Sequence, residues 1–474
     1  MRTAGIDQGT SSTRVLVASD NGTSEIKHST RHTQRRPQPG WVEHDAGELL
    51  ANVRRCAEVA RHNSGGLDAI GIANQGESCL AWDAANGEPI SPVIVWQDHR
   101  TADIIERLRA EECDDLTRSR AGLPLDTYFS ASKLGWILKN IPEAAQRMRR
   151  GRLRLGTTDA YFLDRLTGVF ATDVTTASRT SLMNLQTRQW DDELCRLFGV
   201  PIESLPEIRP TVGSFGSLDG VPATAAIVDQ QAALYGHGCR RAGDAKITFG
   251  TGAFMLAVTG ATVVRSHERG LLPTIAWQIR NEEIVFAVDG GLHDAGAVIE
   301  WIHRLGLFKD FAELTEFEAA PAISRGLVFV PALTGLACPH WDSKAGGTWI
   351  GMTAQTSRRD LCQAALEGIA LGVADVVSEM SRSIAIADRL SVDGGLAASR
   401  YFLQFLADVT RRSVLRQPLT ELTAHGCAVL AAVGIGREMP PPQAPATIFA
   451  PRRVDDAAWR ERYAMAVSRA MHWH

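Results

Sequence analysis

Ala4-Gly5-Ile6-Asp7-Gln8-Gly9-Thr10-Ser11-Ser12-Thr13-Arg14-Val15-Leu16-Val17-Ala18 opens the chain and reads as strand, tight polar turn, strand. Its turn holds glycine, two serines and two threonines beside one aspartate and one arginine. Glycine lets a ligand approach the backbone, and the N–H groups and hydroxyls of such a turn suit a phosphate. Asp7 could hold a hydrated Mg²⁺ and Arg14 could face a phosphoryl oxygen. A second hairpin of the same kind stands at Ala245-Lys246-Ile247-Thr248-Phe249-Gly250-Thr251-Gly252-Ala253-Phe254-Met255-Leu256. One such loop alone is an ordinary hairpin connection. Two in one chain suggest a nucleotide gripped between two similar halves.

The 474 residues are enough for two to four domains. Hydrophobic residues make up 45% and charged residues 22%, an ordinary globular balance with ample core. A net charge of −4 offers no basic field for nucleic acid. No uninterrupted run of about 18 apolar residues is present, so no membrane span is expected. The chain enters a strand almost at once, leaving no room for a signal peptide, and a cytoplasmic location is expected. Eight scattered cysteines without a CxxC pair read as buried thiols.

Strands and helices alternate through the first half. Residues 69–73, 92–96 and 225–228 read as short buried strands, and 46–62, 100–112 and 131–150 as helices. The second half restarts with the 245–258 hairpin. Helices are predicted at 294–305, 359–384, 399–411, 420–436 and 456–471, and strands at 326–330 and 389–392. This pattern predicts an α/β fold of two domains, 1–240 and 241–474.

Three further segments carry chemistry. In Ile227-Val228-Asp229-Gln230-Gln231, an acid lies between a strand and a helix, where α/β folds place ligands; Asp229 can cap that helix and still act as a base. Val392-Asp393-Gly394-Gly395-Leu396-Ala397-Ala398-Ser399 is a strand, a glycine pair and a helix start, which allows close approach to a planar ligand. Asp289-Gly290-Gly291-Leu292-His293-Asp294-Ala295-Gly296 opens a further helix, predicted to begin at Asp294. GxxxxGK[ST], HExxH and GxSxG are all absent from the sequence.

With these segments in view, the chain resembles the FGGY carbohydrate kinases, closest to the glycerol kinases among them. The resemblance covers nearly the whole length. It rests on the segment Tyr128-Phe129-Ser130-Ala131-Ser132-Lys133-Leu134-Gly135-Trp136, on Gly347-Thr348-Trp349-Ile350-Gly351-Met352, on Gly40-Trp41-Val42-Glu43-His44-Asp45 and on Asp173-Val174-Thr175-Thr176-Ala177-Ser178-Arg179-Thr180. It implies two actin-like (ribonuclease H-like) domains with ATP and Mg²⁺ in a cleft between them and a polyol in the N-terminal domain. By similarity, Thr10, Ser11, Ser12 and Arg14 would meet the transferred phosphates, with Thr251 and Gly252 on the other side. Gly296, Glu300, Gly395 and Ser399 would line the nucleoside. Asp7 would orient metal-bound water, and Asp229 would be the catalytic base.

The acceptor loop departs from the family pattern. Glycerol kinases carry Asn-Gln-Arg-Glu there; this chain has Asn74-Gln75-Gly76-Glu77. The other implied acceptor residues, Trp96, Tyr128, Asp229, Gln230 and Phe254, are present. Loss of an arginine removes up to five N–H donors and opens space. The expected acceptor is therefore glycerol or a somewhat larger polyol. A pentulose kinase is the alternative within the family; a non-catalytic polyol and ATP sensor, or an actin-like ATPase, lies outside it. A homodimer or homotetramer is implied by the resemblance.

Overall fold

The opening hairpin forms as predicted: strands Arg2–Gln8 and Ser12–Ser19 pair antiparallel, with Asp7 opposite Arg14. The computed structural model describes residues 1–265, 270–441 and 444–473. Pro442, in the proline run at 440–442, lies outside them. Contacts divide the chain into two units. The first is Met1–Gly238, Thr274–Phe286 and Glu421–Gln443; the second is Cys239–Pro273, Ala287–Thr420 and Ala444–His474. The chain is thus not divided at a single point.

In the first unit the sheet runs, side by side, Ser217–Leu218, Val221–Val228, Ala69–Asn74, Arg2–Gln8, Ser12–Ser19 and Ser24–Arg31. The middle of this sheet is parallel: Arg2–Gln8 pairs with Ala69–Asn74, which pairs with Val221–Val228. The second unit repeats the pattern. Ala253–Gly260 pairs antiparallel with Ala245–Phe249, which pairs parallel with Arg389–Gly394, itself parallel to Ser413–Arg416. In both sheets the hairpin turn therefore lies at the carboxyl end of the first strand, level with the ends of its parallel neighbours, where α/β sheets bind ligands.

The helix Leu422–Gly434 belongs to the first unit although it lies late in the sequence. It packs on the strand Arg2–Gln8 and on the helix Asp229–Gly236. Small residues let it come close. A Cβ on Gly71 would stand 2.7 Å from Cys427 Sγ, and one on Gly426 would stand 2.6 Å from the Gly236 nitrogen. At Gly5, a Cβ would collide with the Ala424 carbonyl oxygen.

Two boundaries differ from the sequence reading for plain reasons. The helix expected over 131–150 is two, Ser130–Asn140 and Pro142–Arg149. Pro142 cannot donate a helical hydrogen bond, and it forces Ile141 into an extended conformation. The helix expected from Asp294 begins at Gly296, because the Asp294 carboxylate accepts hydrogen bonds from Thr334 N–H at 2.7 Å and its hydroxyl at 3.0 Å.

The 26-residue helix Arg358–Ser383 is long and apolar enough to cross a membrane, but 83% of its apolar window is buried within the fold. It forms the second unit's core with Phe329, Phe402 and Tyr463. All eight cysteines are free thiols, and seven are buried.

Gly5→Ala is expected to lower stability by at least about 2 kcal/mol, because backbone must move to admit the methyl group. Gly213→Ala, where the nearest atom to a Cβ is 4.0 Å away, serves as the control. Equal melting temperatures for the two variants would refute the close-packing account.

Candidate active site

The phosphate-type turn of the first unit is closed by Gly9 N–H donating to the Ser12 carbonyl at 3.0 Å. Thr10 is held on both sides: its hydroxyl accepts from Trp96 Nε1 at 3.0 Å and its carbonyl from His32 Nε2 at 2.9 Å. Ser11 is exposed. The Ser12 hydroxyl accepts from Arg14 Nη2 at 2.7 Å. Arg14 Nη1 donates to Glu421, and its Nε lies 3.9 Å from Asp7 Oδ2. The guanidinium thus sits between two carboxylates, one of them from the residue just before the late helix.

Burial pushes the Asp7 carboxyl up to about 7, with Arg14 opposing and Glu421 adding to the rise. Among the described residues, no group of three or more His, Cys, Asp or Glu could cage a metal ion. That fits Mg²⁺ carried by a nucleotide, which needs one or two carboxylates besides phosphate and water.

The acceptor residues of the first unit also come together. Trp96 and Tyr128 meet edge to face with ring centroids 5.5 Å apart. Lys133, fully buried, donates from Nζ to the Tyr128 carbonyl at 2.8 Å and reaches the Trp96 carbonyl at 3.5 Å. Glu77 is buried with φ at +60°, a left-handed conformation that costs on the order of 1 kcal/mol for a non-glycine residue. It is held there at both ends. Its carbonyl accepts from Ser130 Oγ at 3.0 Å, and its carboxylate accepts from Arg179 Nε at 2.7 Å. The Arg179 guanidinium lies 5.6 Å from the ring centres of Tyr128 and Phe129. Asp229 begins its helix, and its Oδ1 accepts from Gln230 N–H at 2.7 Å. Gly76 is buried beside Val228.

In the second unit, the Thr251 carbonyl accepts from Ala295 N–H at 2.9 Å and from Ala297 N–H at 3.0 Å. Gly250 does the same for Gly296 at 3.0 Å. The second hairpin turn is thereby fixed to the start of the helix Gly296–Arg304, which carries the exposed Glu300. Gly252 has no room for a side chain: a Cβ would stand 2.9 Å from the His293 carbonyl oxygen. Gly395 faces open space, with nothing within 4 Å of a Cβ. Ser399 is buried, and its hydroxyl is committed within the fold, donating to the Leu314 carbonyl at 2.7 Å and accepting from Phe402 N–H at 3.1 Å. Phe254 stands on the strand Ala253–Gly260 of this unit, so Trp96 and Tyr128 belong to one unit and Phe254 to the other.

Arg179, Lys133, His32 and Glu421 had no role in the sequence reading. Arg179 and Lys133 lay inside stretches that carried the resemblance. His32 and Glu421 gave no local signal, since each acts on a loop distant in sequence.

The fold and these residues define a two-domain phosphotransferase of the α/β class. Comparisons with known proteins agree. The N-terminal domain of the FGGY family of carbohydrate kinases matches residues 3–236, and the C-terminal domain matches residues 245–435. A glycerol kinase of Haloferax volcanii is 42% identical over 455 residues, covering 91% of this chain and 89% of that one. The crystal structure of Plasmodium falciparum glycerol kinase with ADP superposes with a TM-score of 0.89 at 30% identity, over 98% of this chain and 97% of that one. A xylulose kinase from Rhodospirillum rubrum shares the fold, with a TM-score of 0.84 at 23% identity over 99% of each chain. The chain belongs to the FGGY family of carbohydrate kinases. It is a phosphotransferase with an alcohol group as acceptor.

Two expectations follow from the geometry. Arg179→Leu leaves the Glu77 carboxylate buried without this guanidinium and is expected to cost about 3 kcal/mol or more. Arg179→Lys recovers part of that loss, since a point charge replaces a planar fork; thermal unfolding of the two variants decides it. The second concerns Asp7. The folded state holds a proton that the unfolded chain, with an ordinary value of 3.8, has already released. Its contribution to stability is present below about pH 4 and is lost as the pH rises through about 7. Asp7→Asn is therefore expected to melt about 2–4 °C above the wild type at pH 8, with the difference closing by pH 4. A pH-independent difference would contradict the raised value.

Proposed function

We propose that this enzyme transfers the γ-phosphoryl group of ATP to a primary hydroxyl of glycerol. The observation that carries the reading is the acceptor cluster of Glu77, Arg179, Trp96 and Tyr128, built on the same unit as Asp229. It offers a carboxylate whose charge is balanced by a guanidinium, and two aromatic edges. That combination suits a small molecule with several hydroxyls and short C–H faces. Relatives named glycerol kinase at about 40% identity support the same acceptor. A somewhat larger polyol would meet an apolar edge at Gly76, where a Cβ would stand 2.7 Å from Cγ2 of Val228.

In this reading Asp229 accepts the proton of the primary hydroxyl. The oxygen then forms its bond to the γ-phosphorus as the bond from that phosphorus to the ADP oxygen breaks. The hydrogen bond from Gln230 N–H holds the carboxylate in place. Phosphoryl transfer asks little covalent work of the protein, so most of the rate comes from positioning and charge neutralisation. Thr10, Ser11 and Ser12 present hydroxyls and N–H groups to the phosphates. Arg14 exchanges its carboxylate partners for phosphate oxygens. Thr251 and Gly252 would serve the phosphates from the second hairpin, and Gly395, with Gly296 and Glu300, the nucleoside. Asp7 would hold hydrated Mg²⁺, which would supply charge neutralisation at the phosphates.

The test is ADP release with Mg-ATP across glycerol, erythritol, ribitol, xylulose and ribulose. Glycerol is expected to have the highest kcat/KM. Asp229→Asn is expected to lower kcat on glycerol by about 10²–10⁴-fold with a small change in KM. A preference for xylulose or ribulose would assign the chain to pentulose phosphorylation instead. Silence on the whole panel would return the sensor reading.

A further inference from the structure

Gly76 has no side chain, and the space for one is already taken. A Cβ built there would stand 2.7 Å from Cγ2 of Val228, well inside the roughly 3.5–4.0 Å at which packed carbons rest. Val228 cannot easily yield. It is 3% exposed, and its branched side chain is stiff about χ1. Its N–H donates to Thr175 Oγ1 at 3.0 Å, and that hydroxyl donates to Asp173 Oδ1 at 2.9 Å. The strand register sets Val228 beside Asn74, the residue from which the acceptor loop departs. Positions 76 and 228 are therefore two sides of one contact, and a side chain on residue 76 would require one of them to shift.

We propose that Val228 is a specificity-determining residue of the acceptor pocket. It sets an apolar wall at the position where a side chain on residue 76 would begin, immediately before the base Asp229. Hydroxyl recognition then falls to Glu77 and its partner Arg179, on the far side of the loop. The edge of the acceptor toward residues 76 and 228 meets a methyl group instead of a donor, and the wall limits the length of the acceptor. This inference rests on the polyol kinase reading and deepens it by assigning the size limit to one residue.

The experiment compares kcat/KM for glycerol, erythritol and threitol in the wild type, Val228→Ala, Val228→Thr, Gly76→Ala and the double variant Gly76→Ala/Val228→Ala. Val228→Ala is expected to raise the tetritol-to-glycerol ratio roughly tenfold, through KM more than kcat. Val228→Thr keeps the shape and is expected to hold the ratio within about twofold of the wild type. Gly76→Ala alone is expected to lower the melting temperature and raise the glycerol KM, and Val228→Ala in the same chain to restore both. That non-additivity is the signature of a shared space.

A purely structural role for Val228 would move the melting temperature and leave the acceptor ratio alone, which overturns the proposal. Additive effects of the two alanines overturn it as well. If Val228→Ala does not fold, a tenfold ratio change in Val228→Thr overturns the size wall, and an unchanged ratio there with rescue of Gly76→Ala by Val228→Gly supports it. A wild type inactive on every polyol but active on a pentulose would defeat the polyol reading itself, a result distinct from all of these.

Discussion

The close approach of the helix Leu422–Gly434 to the first sheet is the constraint on which the site of the first unit depends. Hydrophobic burial alone would let a helix rest about 10 Å from a sheet. Here glycine or alanine stands at the points of crossing, and the backbones approach until Gly5, Gly71 and Gly426 have no room for a methyl group. The consequence is registry. One face of the helix fixes the strand that carries Asp7; another fixes the helix that starts at Asp229. The residue just before it, Glu421, meets Arg14. A single element thus holds Asp7, Arg14 and Asp229 in one frame.

The acceptor side is built on a different principle, strain balanced by buried charge. Glu77 takes up a left-handed backbone conformation that a side chain resists, and bonds to Ser130 and Arg179 hold it there. A buried ion pair of this kind is weak as a source of net stability, because both groups lose water. Its value lies in geometry: the carboxylate can be in few other places once the guanidinium is fixed against Tyr128 and Phe129. Lys133 does similar work on the backbone, joining the carbonyls of Trp96 and Tyr128. The indole of Trp96 then reaches Thr10, so the acceptor wall and the phosphate turn share a hydrogen bond.

What the sequence made legible was local. Both hairpins, the strand before Asp229 and most helices follow from periodicity, glycine placement and capping residues, all of which act within a few positions. The identities around the phosphate turn were legible for the same reason. The partners were not. Arg179 and Glu77 are 102 residues apart, and Arg14 and Glu421 are 407 apart; no periodicity links them. The late helix read correctly as a helix rich in alanine and glycine, but its place in the first unit depends on matching glycines across three elements. Gly76 was legible as a missing arginine, but its neighbour Val228, whose Cγ2 would stand 2.7 Å from a Cβ at 76, was not.

That last point bears on how a pocket of this family can change its acceptor. A residue at 76 would begin its side chain 2.7 Å from Cγ2 of Val228, at the strand end that precedes Asp229, so its size is not independent of residue 228. A side chain at 76 is expected to be admitted more easily beside a neighbour smaller than valine. A side chain added at 76 alone meets a methyl group at a buried strand end held by Thr175 and Asp173, so the loop or Val228 must shift. In the proposed role of Asp229 as base, a shift of that strand end costs rate as well as stability, since phosphoryl transfer depends on close positioning.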